Sequence, residues 1–338
     1  MKNIFKGRKI LITGGTGSFG TYFVKEILKE MPQQVIVYSR DEDRQYSLQF
    51  ELRAYKDKLR FVIGDVRDPP SLKKAMVGGV DYIIHAAALK QIPSTEYNVL
   101  EAVKTNILGA QNVVDAAIWA GASKVLSIST DKAVEPVNVM GMTKGIQERI
   151  FTLANRQVGA KKTRFASVRY GNVLESRGSI IPLFKKQIAE GGPLTITNRN
   201  MTRFVLTLSS ATQLVFTALN KMKGGEIFTP IIKPLKIYDL AEVMVEESKI
   251  KNKKIVEIGI RPGEKLHETL ISPMESLKAI KKKSYYVILP QIEIGKPGFN
   301  YKTPNYKIKE FRYSSDTTPL MSKEDIRNLL KKEKILVN

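Results

Sequence analysis

An aspartate and a lysine stand side by side at Asp131 and Lys132, directly after an apolar run at 124–129 that predicts a strand. A carboxyl group and an amine can act as general acid and general base when their pKa values suit the reaction. Met140 and Lys144 follow four residues apart, which places them on one face of a predicted helix. We expect a proton-transfer site with these four catalytic candidates; a surface ion pair is the alternative interpretation of the adjacent pair.

A glycine-rich turn between a strand and a helix predicts a nucleotide site near the start of the chain. Residues 9–13 form a short apolar run, and an amphipathic pattern extends to about Glu30. Such a turn lets the backbone approach a pyrophosphate at the helix N-terminus, whereas glycines needed only for a tight turn are the alternative. The expected contacts in this turn are Gly14, Thr16, Gly17, Ser18, Phe19 and Gly20.

The end of the second predicted strand bears on the choice between NADP and NAD. The strand ends at Ser39, followed by Arg40 and Asp41, with Arg44 one turn beyond. A hydroxyl and guanidinium groups suit the 2′-phosphate of NADP, whereas an acid at this place would suit NAD. We expect NADP, with NAD less favoured; an ordinary solvated helix residue is the alternative interpretation of Arg44.

Later strand ends supply the other candidate cofactor contacts. Asp65 could meet the adenine edge or cap the next helix, and His85 is expected to be a packed core residue. A long helix is predicted over about 96–120, with Asn106 inside it. The remaining candidates are Asp65, Val66, Ala86, Ala87, Lys90, Asn106 and Lys144.

The order of the predicted elements defines the fold class. Strands and helices alternate through position 170, which predicts an α/β Rossmann-type doubly wound parallel sheet. Ligands of such sheets bind at the carboxyl ends of the strands, where the motifs above fall. We expect a nucleotide-binding domain over 1–172, with parts of 205–235 returning to it, and a smaller α/β substrate-binding region over 173–338.

Composition excludes several kinds of site. The 338 residues contain no cysteine and two histidines, which excludes disulfides and thiol nucleophiles and makes a metal site unexpected. Without a long apolar run or a signal-peptide pattern, we expect a cytoplasmic protein with no membrane segment. The net charge of +22 would suit a nucleic-acid partner. However, the basic residues are dispersed without interleaved aromatics, so we expect a lysine-rich surface over an anion-binding pocket and no nucleic acid.

Taken together, these motifs resemble the extended short-chain dehydrogenase/reductases that act on nucleotide sugars, and among them the UDP-N-acetylglucosamine 4,6-dehydratases of the 5-inverting kind. The resemblance covers nearly the whole chain. It rests on the glycine turn at 13–20 and the segments 38–42, 64–67, 86–91, 104–106, 129–132, 169–172 and 261–265. The Ser-Thr-Asp-Lys and Ala-Ala-Leu-Lys-Gln segments are the narrowest of these signals.

The resemblance implies a substrate, a set of contacts and an assembly. The substrate would be UDP-N-acetylglucosamine, with arginines at its diphosphate and Glu264 at its ribose, and the protein would form a homo-oligomer, a hexamer or smaller. The implied substrate contacts are Lys90, Thr130, Asn172, Ser179, Arg203, Arg261 and Glu264.

The resemblance also implies a mechanism. Hydride would leave sugar C4 for NADP⁺, neutral Lys132 would remove the C5 proton, and protonated Asp131 would donate to the departing C6 hydroxyl. The hydride would then return to C6, giving UDP-2-acetamido-2,6-dideoxy-β-L-arabino-hexos-4-ulose. We expect a near-neutral pKa for Lys132 and a raised pKa for Asp131.

Met140 departs from the broad family, which carries a tyrosine there as the base for the sugar hydroxyl. A thioether exchanges no proton, so the acceptor of the C4 hydroxyl proton stays open among Asp131, Lys132, Thr130 and Lys90. Lys144 would still bind the nicotinamide ribose. The alternatives are a C5-retaining dehydratase, a nucleotide-sugar 4-epimerase and, as a non-enzyme, an NADP-sensing regulator.

Overall fold

Short runs rich in valine and isoleucine form the parallel strands at the centre of the molecule. A computed structural model describes residues 3–159, 162–248, 254–294 and 310–336. The first six strands are β1 (Lys9–Thr13), β2 (Gln34–Ser39), β3 (Leu59–Ile63), β4 (Tyr82–His85), β5 (Lys124–Thr130) and β6 (Arg164–Tyr170). They pair in parallel in the order β3-β2-β1-β4-β5-β6. This order confirms the Rossmann-type fold.

Helices connect these strands and cover both faces of the sheet. They are α1 (Ser18–Lys29), α2 (Glu42–Glu51), α3 (Pro69–Ala75), α4 (Ile92–Tyr97), α5 (Val99–Ala102), α6 (Gly109–Ala120) and α7 (Val139–Gln157). Short 3-10 turns span Arg53–Lys58 and Asp131–Ala133, and a π-helical turn spans Val103–Leu108.

The prediction of one continuous helix over 96–120 was wrong. The backbone leaves the helical region at Asn98, with φ −130° and ψ 55°. The side-chain amide of Asn98 donates a hydrogen bond to Ser94 O. Two short helices and a π-helical turn therefore precede α6. An asparagine side chain that bonds to nearby backbone competes with helix continuation, which gives the physical reason.

The second half of the chain contributes both to this sheet and to a smaller core. Its strands are β7 (Asn172–Val173), β8 (Leu194–Ile196), β9 (Thr202–Leu206), β10 (Ile227–Pro230), β11 (Pro234–Lys236), β12 (Ile255–Glu257), β13 (Thr269–Ile271), β14 (Ala279–Lys281), β15 (Tyr285–Ile288) and β16 (Tyr313–Ser314). Its helices are α8 (Ile180–Ala189), α9 (Leu208–Lys221), α10 (Ile237–Glu247), α11 (Pro273–Ser276) and α12 (Lys323–Lys332).

Three strands of the second half, β10, β15 and β14, extend the central sheet beyond β6. β10 pairs in parallel with β6, as expected for a segment between 205 and 235. Beyond it, β15 and β14 add two antiparallel strands, which the sequence analysis had assigned to the second region. Of the helices in the described part of the chain, none combines the length and hydrophobicity that a membrane span requires.

Apolar side chains form separate cores in the two halves. On one face of the sheet Phe23 of α1 packs with Val215 of α9, and on the other Val113 of α6 packs with Phe151 of α7. The smaller core joins α8, α10 and α12 through residues such as Phe184. The site described next lies where the loops of the smaller half meet the carboxyl ends of the parallel strands.

Candidate active site

The acid–base pair lies in a tight turn at the carboxyl end of β5. The strand ends at Thr130, whose hydroxyl donates to Asp131 Oδ1 at 3.0 Å. Helix α7 begins after Asn138, which caps it by accepting a hydrogen bond from Gly141 N. A Cβ at Gly141 would lie 2.2 Å from Lys132 O, so only glycine allows the helix to approach the turn this closely.

Lys132 lies between two buried carboxylates. Its Nζ is 3.0 Å from Asp131 Oδ1 and 3.0 Å from Glu268 Oε1. The Asp131 side chain is fully buried, and only 13% of the Lys132 side chain is exposed. Burial excludes the interpretation of Asp131 and Lys132 as a surface ion pair. Asp131 Oδ2 and Glu268 Oε2 are also buried and accept no hydrogen bond from any side chain or backbone group described.

Burial and charge set the protonation of this cluster. Burial raises the pKa of Asp131, with Lys132 opposing the shift, which agrees with the expectation for this residue. Burial alone would lower the pKa of Lys132, but the charges of Asp131 and Glu268 outweigh it and raise that pKa. The expected near-neutral pKa of Lys132 was therefore wrong. Glu268 has a lowered pKa despite its burial, because Lys132 and Arg203 favour its charged form.

Sequence reasoning missed Glu268. It follows the segment at 261–265 that carried the resemblance, and it precedes β13, whose residues are all buried. Its backbone N–H donates to Ser315 Oγ, which fixes this part of the chain. An acid directly before the short strand Thr269–Ile271 is the sequence signal that could have identified it, but its partner Lys132 is far away in the chain.

Met140 and Lys144 lie on the buried face of α7, as their spacing predicted. The Lys144 ammonium donates to Ile128 O at 2.6 Å and to Gln147 Oε1 at 2.8 Å. Burial lowers the pKa of Lys144 to about 7. Lys144 therefore lies at the threshold of losing its charge near neutral pH, while Met140 offers no proton.

His85 is a packed core residue, as expected. Its Nδ1 lies 2.8 Å from Thr13 Oγ1, and its ring stacks on Phe151 with the centroids 5.8 Å apart. Burial, assisted by the charge of Lys144, lowers the pKa of His85 to about 3. A neutral histidine therefore lies beneath the carboxyl end of β4.

The glycine-rich turn has the backbone geometry that a dinucleotide site requires. Gly14 has φ +68°, and a Cβ there would lie 2.7 Å from Ala87 N. A Cβ at Gly20 would lie 2.5 Å from Gly14 O, so α1 packs closely on the turn. In the described part of the chain, no side chain caps the N-terminus of α1 at Gly17. The start of α1 therefore has no side-chain cap there, and the residues fit a pyrophosphate.

Arginines gather around the corner where Thr16 Oγ1 lies 2.7 Å from Ser39 Oγ. Arg40 is 3.3 Å from Asp65 Oδ2, and Arg44 is 3.0 Å from the carboxylate of Asp41. Arg177, which sequence reasoning missed, donates from its guanidinium to Thr16 O.

The loop that carries Arg177 crosses over the glycine turn. The backbone N–H of Arg177 donates to Ser18 Oγ, and Lys90 Nζ donates to Arg177 O at 3.0 Å. Burial, followed by the charge of Arg44, lowers the pKa of Arg177. Positive charge is therefore concentrated beside the turn.

Other candidate cofactor contacts have structural partners. Asp65 accepts hydrogen bonds from the backbone and guanidinium of Arg67. It does not cap α3, because Asp68 does. Val66 is buried against Gly109.

Asn106 holds the loop that follows β4. Its amide group accepts a hydrogen bond from Leu89 N and donates to Leu89 O and to Thr143 Oγ1. Both amide hydrogens thus have partners within the protein. The structure gives Asn106 a role in positioning this loop, and a direct contact of Asn106 with the cofactor stays a prediction. Ala86 and Ala87, in the same loop, are partly exposed beside the glycine turn.

Some candidate substrate contacts have polar atoms without a partner among the described residues, and others already make hydrogen bonds within the protein. Asn172 Oδ1 and Ser179 Oγ are buried and lack partners among the described residues. Arg203 is buried and donates to the carbonyl oxygens of Thr202, Leu266 and Lys265. Arg203 therefore holds the loop at 261–265, and its predicted contact with a diphosphate stays a prediction.

That loop is tied directly to the catalytic turn. Asn138 Nδ2 donates to Gly263 O at 2.7 Å, and Lys265 Nζ donates to Val134 O at 2.6 Å. Arg261 is exposed and Glu264 partly exposed in the same loop. These contacts hold the loop that carries Arg261 and Glu264 against the segment that follows Lys132; the contacts of Arg261 and Glu264 with a substrate stay a prediction.

The fold and site together define a Rossmann-type short-chain dehydrogenase/reductase of the extended class, for which a nicotinamide dinucleotide is the cofactor. A model of the family described as "Polysaccharide biosynthesis protein" matches residues 10–290, and the chain belongs to this family. No group of His, Asp and Glu suited to a metal ion occurs among the residues described.

Relatives of the chain carry two different activities in their names. The chain is 44% identical to a UDP-N-acetylglucosamine 4,6-dehydratase (inverting) of Campylobacter jejuni, over 95% of this chain and 96% of that protein. It is 39% identical to a UDP-glucose 4-epimerase of Rickettsia akari, over 97% and 96%. The X-ray structure of Pen from Bacillus thuringiensis shares 40% identity with a TM-score of 0.92, covering 99% of this chain and all of that one.

Proposed function

We propose that the protein is an NADP-dependent UDP-N-acetylglucosamine 4,6-dehydratase that inverts C5. The observation that carries the proposal is the buried Asp131–Lys132–Glu268 cluster at the carboxyl end of β5. An amine between two carboxylates suits proton removal from C5, a step that a 4-epimerase does not need. The dehydratase relative supports the same choice.

The chain's own residues handle the protons. The bound nicotinamide supplies the hydride acceptor and donor, so no second redox substrate is required. Asp131 Oδ2, which has no hydrogen-bond partner among the residues that the structure describes, takes the proton of the C4 hydroxyl in place of the absent tyrosine. Asp131 later gives this proton to the C6 oxygen, which leaves as water. A carboxyl group with a raised pKa suits both transfers, because it accepts a proton readily and holds it until the leaving oxygen needs it.

Lys132 is the base that removes the C5 proton. The ketone at C4 acidifies this proton. The amine of Lys132, just beyond the end of β5, lies 3.0 Å from Asp131, the proposed acid. The raised pKa of Lys132 means that it begins as an ammonium and must lose a proton before it can act. The role proposed for Lys144 is to bind the nicotinamide ribose. Lys144 can do this although the family's tyrosine is replaced by Met140.

Product analysis tests the activity. Purified protein incubated with UDP-N-acetylglucosamine should give a product lighter by one water, with deuterium at C5 when the reaction runs in D₂O. An epimer of unchanged mass would support the 4-epimerase named among the relatives. Coupling constants at C5 separate inversion from retention.

A variant pair distinguishes an enzyme from a cofactor-sensing regulator. Lys132→Met should abolish turnover and leave cofactor binding intact, because the amine is the proposed base. The matched control is Lys104→Met, which removes an exposed lysine that pairs with Glu101. Cofactor binding without turnover in the wild type would support the regulator instead.

We also propose NADP rather than NAD. Arg40, Arg44 and Arg177 surround the Thr16–Ser39 corner, and a 2′-phosphate there would accept their hydrogen bonds. In cofactor-stripped protein, Arg44→Ala should weaken NADP binding about 10-fold, as expected for one lost charged hydrogen bond, and leave NAD binding unchanged.

Arg53→Ala is the matched control for this titration, since Arg53 is on the surface and packs over Phe50, 4.9 Å from the ring centroid. Equal losses for NADP and NAD in Arg44→Ala would contradict the assignment.

We propose a homo-oligomer assembled through the outer face of α7 and the π-helical turn that precedes α6. Leu108, Met142, Ile146 and Leu153 are large apolar side chains on this side, and each is between 44% and 53% exposed. A second copy of the chain would cover them. Ile146→Glu should lower the mass measured by light scattering, whereas Glu324→Gln on α12 should leave it unchanged; an unchanged mass in Ile146→Glu would contradict this interface.

A further inference from the structure

We propose that Glu268 is the proton partner of Lys132 in catalysis: it takes the proton that Lys132 must lose before C5 is deprotonated. This inference rests on the proposed dehydratase function. Glu268 acts through Lys132 and is therefore a positioning and proton-exchange residue, not one that contacts the sugar.

The geometry places Glu268 behind the amine. Lys132 Nζ is equidistant from Asp131 and Glu268, at 3.0 Å from each. Only 1% of the Glu268 side chain is exposed, against 13% for Lys132. Lys132 is therefore the more exposed member of this pair, and Glu268 is the member shielded from solvent. A proton can pass from Lys132 to Glu268 without crossing solvent.

The other buried glutamates show what a purely structural carboxylate looks like in this chain. Glu148 receives Arg169 Nε and Nη2 on its two oxygens. Glu226 receives the backbone N–H groups of Lys223 and Gly224 on its two oxygens. Glu268 differs, because Oε2 is buried without a partner among the described residues. Such an unsatisfied oxygen is costly for stability alone, so a function in proton exchange explains why it is kept.

The surrounding charges allow the exchange. Arg203 Nε is 3.9 Å from Glu268 Oε1, too far for a hydrogen bond, and its guanidinium is occupied by backbone carbonyl groups. Lys132 is therefore the only short ionic contact of Glu268 in the described structure. When Asp131 takes up the C4 hydroxyl proton, one of the two carboxylates that hold Lys132 charged is neutralised. The transfer of a proton from Lys132 to Glu268 becomes easier at that moment.

The protons balance over the cycle. The N–H bond of Lys132 breaks and an O–H bond forms on Glu268, with no change in oxidation state. Neutral Lys132 then takes the C5 proton, so that the pair holds one proton more than at rest. When the hydride returns to C6, solvent gives C5 a proton on the opposite face, as inversion requires, and the pair releases its extra proton to solvent and regains its resting charges. The C4 hydroxyl proton leaves separately in the water formed through Asp131.

Glu268→Gln tests the exchange, because glutamine keeps the size of the side chain and cannot accept the proton. We expect C5 deuterium uptake and dehydrated product to fall about 100-fold or more, within the range for loss of a general acid or base. The absorbance change of the bound nicotinamide on adding UDP-N-acetylglucosamine should persist, since C4 oxidation precedes the step. Glu135→Gln is the matched control: Glu135 is exposed and pairs with Arg312.

The possible outcomes separate this inference from the proposed function. Wild-type protein that yields no dehydrated product would overturn the function itself. Wild-type dehydration with near wild-type C5 deuterium uptake in folded Glu268→Gln would overturn only the role of Glu268. Parallel loss of the nicotinamide signal and of C5 uptake would also overturn it, because a general structural role predicts that result.

A second variant keeps the test possible if Glu268→Gln does not fold. Glu268→Asp keeps the buried charge but withdraws it from Lys132 by one methylene. Reduced C5 uptake with an unchanged nicotinamide signal supports the exchange. Unchanged C5 uptake would overturn it.

Discussion

Adding one methyl group at Gly141 should misplace the catalytic turn. The Cβ of Gly141→Ala would lie 2.2 Å from Lys132 O and 3.1 Å from Lys132 C. An ordinary Cβ contact begins at 3.4 Å, so the turn or the helix must move by about 1 Å. The contacted oxygen belongs to the residue that we propose as the C5 base. A shift of this size in a catalytic group can lower the rate about 100-fold.

Gly145 provides a matched control on the same helix. A Cβ at Gly145 would lie 3.2 Å from Ala133 O, which requires a shift of only a few tenths of an ångström. Both substitutions replace a helical glycine with alanine, a change that favours the helix by about 1 kcal/mol. The two variants therefore gain the same helix propensity and differ in their contact with the turn.

The assay compares kcat for UDP-N-acetylglucosamine dehydration with the thermal unfolding midpoint of each variant. We expect Gly141→Ala to lose about 100-fold in kcat while it stays folded and binds cofactor. Gly145→Ala should keep most of its activity. The reasoning would be refuted by a Gly141→Ala variant that turns over at the wild-type rate, or by equal losses in the two variants.

Two further predictions concern the buried charges. Arg169 donates to Glu148 and Glu275, so Arg169→Met should leave two buried carboxylates unpaired and destabilise the protein by about 3–5 kcal/mol in urea unfolding; a loss near zero would contradict this. Lys144 titrates at about 7 when folded and at its ordinary 10.5 when unfolded. Between these values the unfolded state binds more protons, so wild-type stability relative to Lys144→Met should rise from pH 7 to 10.5 in cofactor-free protein, and a flat or falling difference would contradict the shift.

Some features of the site could be read from local sequence because they depend on neighbours in the chain. The glycine turn follows from glycines placed between a strand and a helix, and Gly14 indeed has a positive φ. Met140 and Lys144 share the buried face of α7 because helical spacing fixes it. The parallel order of β1–β6 follows from the alternation of strands and helices.

Other features depend on contacts between distant parts of the chain, which spacing does not reveal. Glu268 meets Lys132, and Arg177 reaches the glycine turn, only because the loops of the second half fold over the strand ends. The pairing of β14 and β15 at the edge beside β10 is equally non-local.

By itself, the sequence determined the Rossmann-type order of elements and the kind of cofactor site, and it singled out the two residues that we propose as acid and base. Only the tertiary structure decided their protonation. Lys132 was expected near neutrality from its residue type and role, yet it is held charged because a second carboxylate comes from a remote segment. A pKa depends on burial and on charges within a few ångströms, and both are set by how the chain folds.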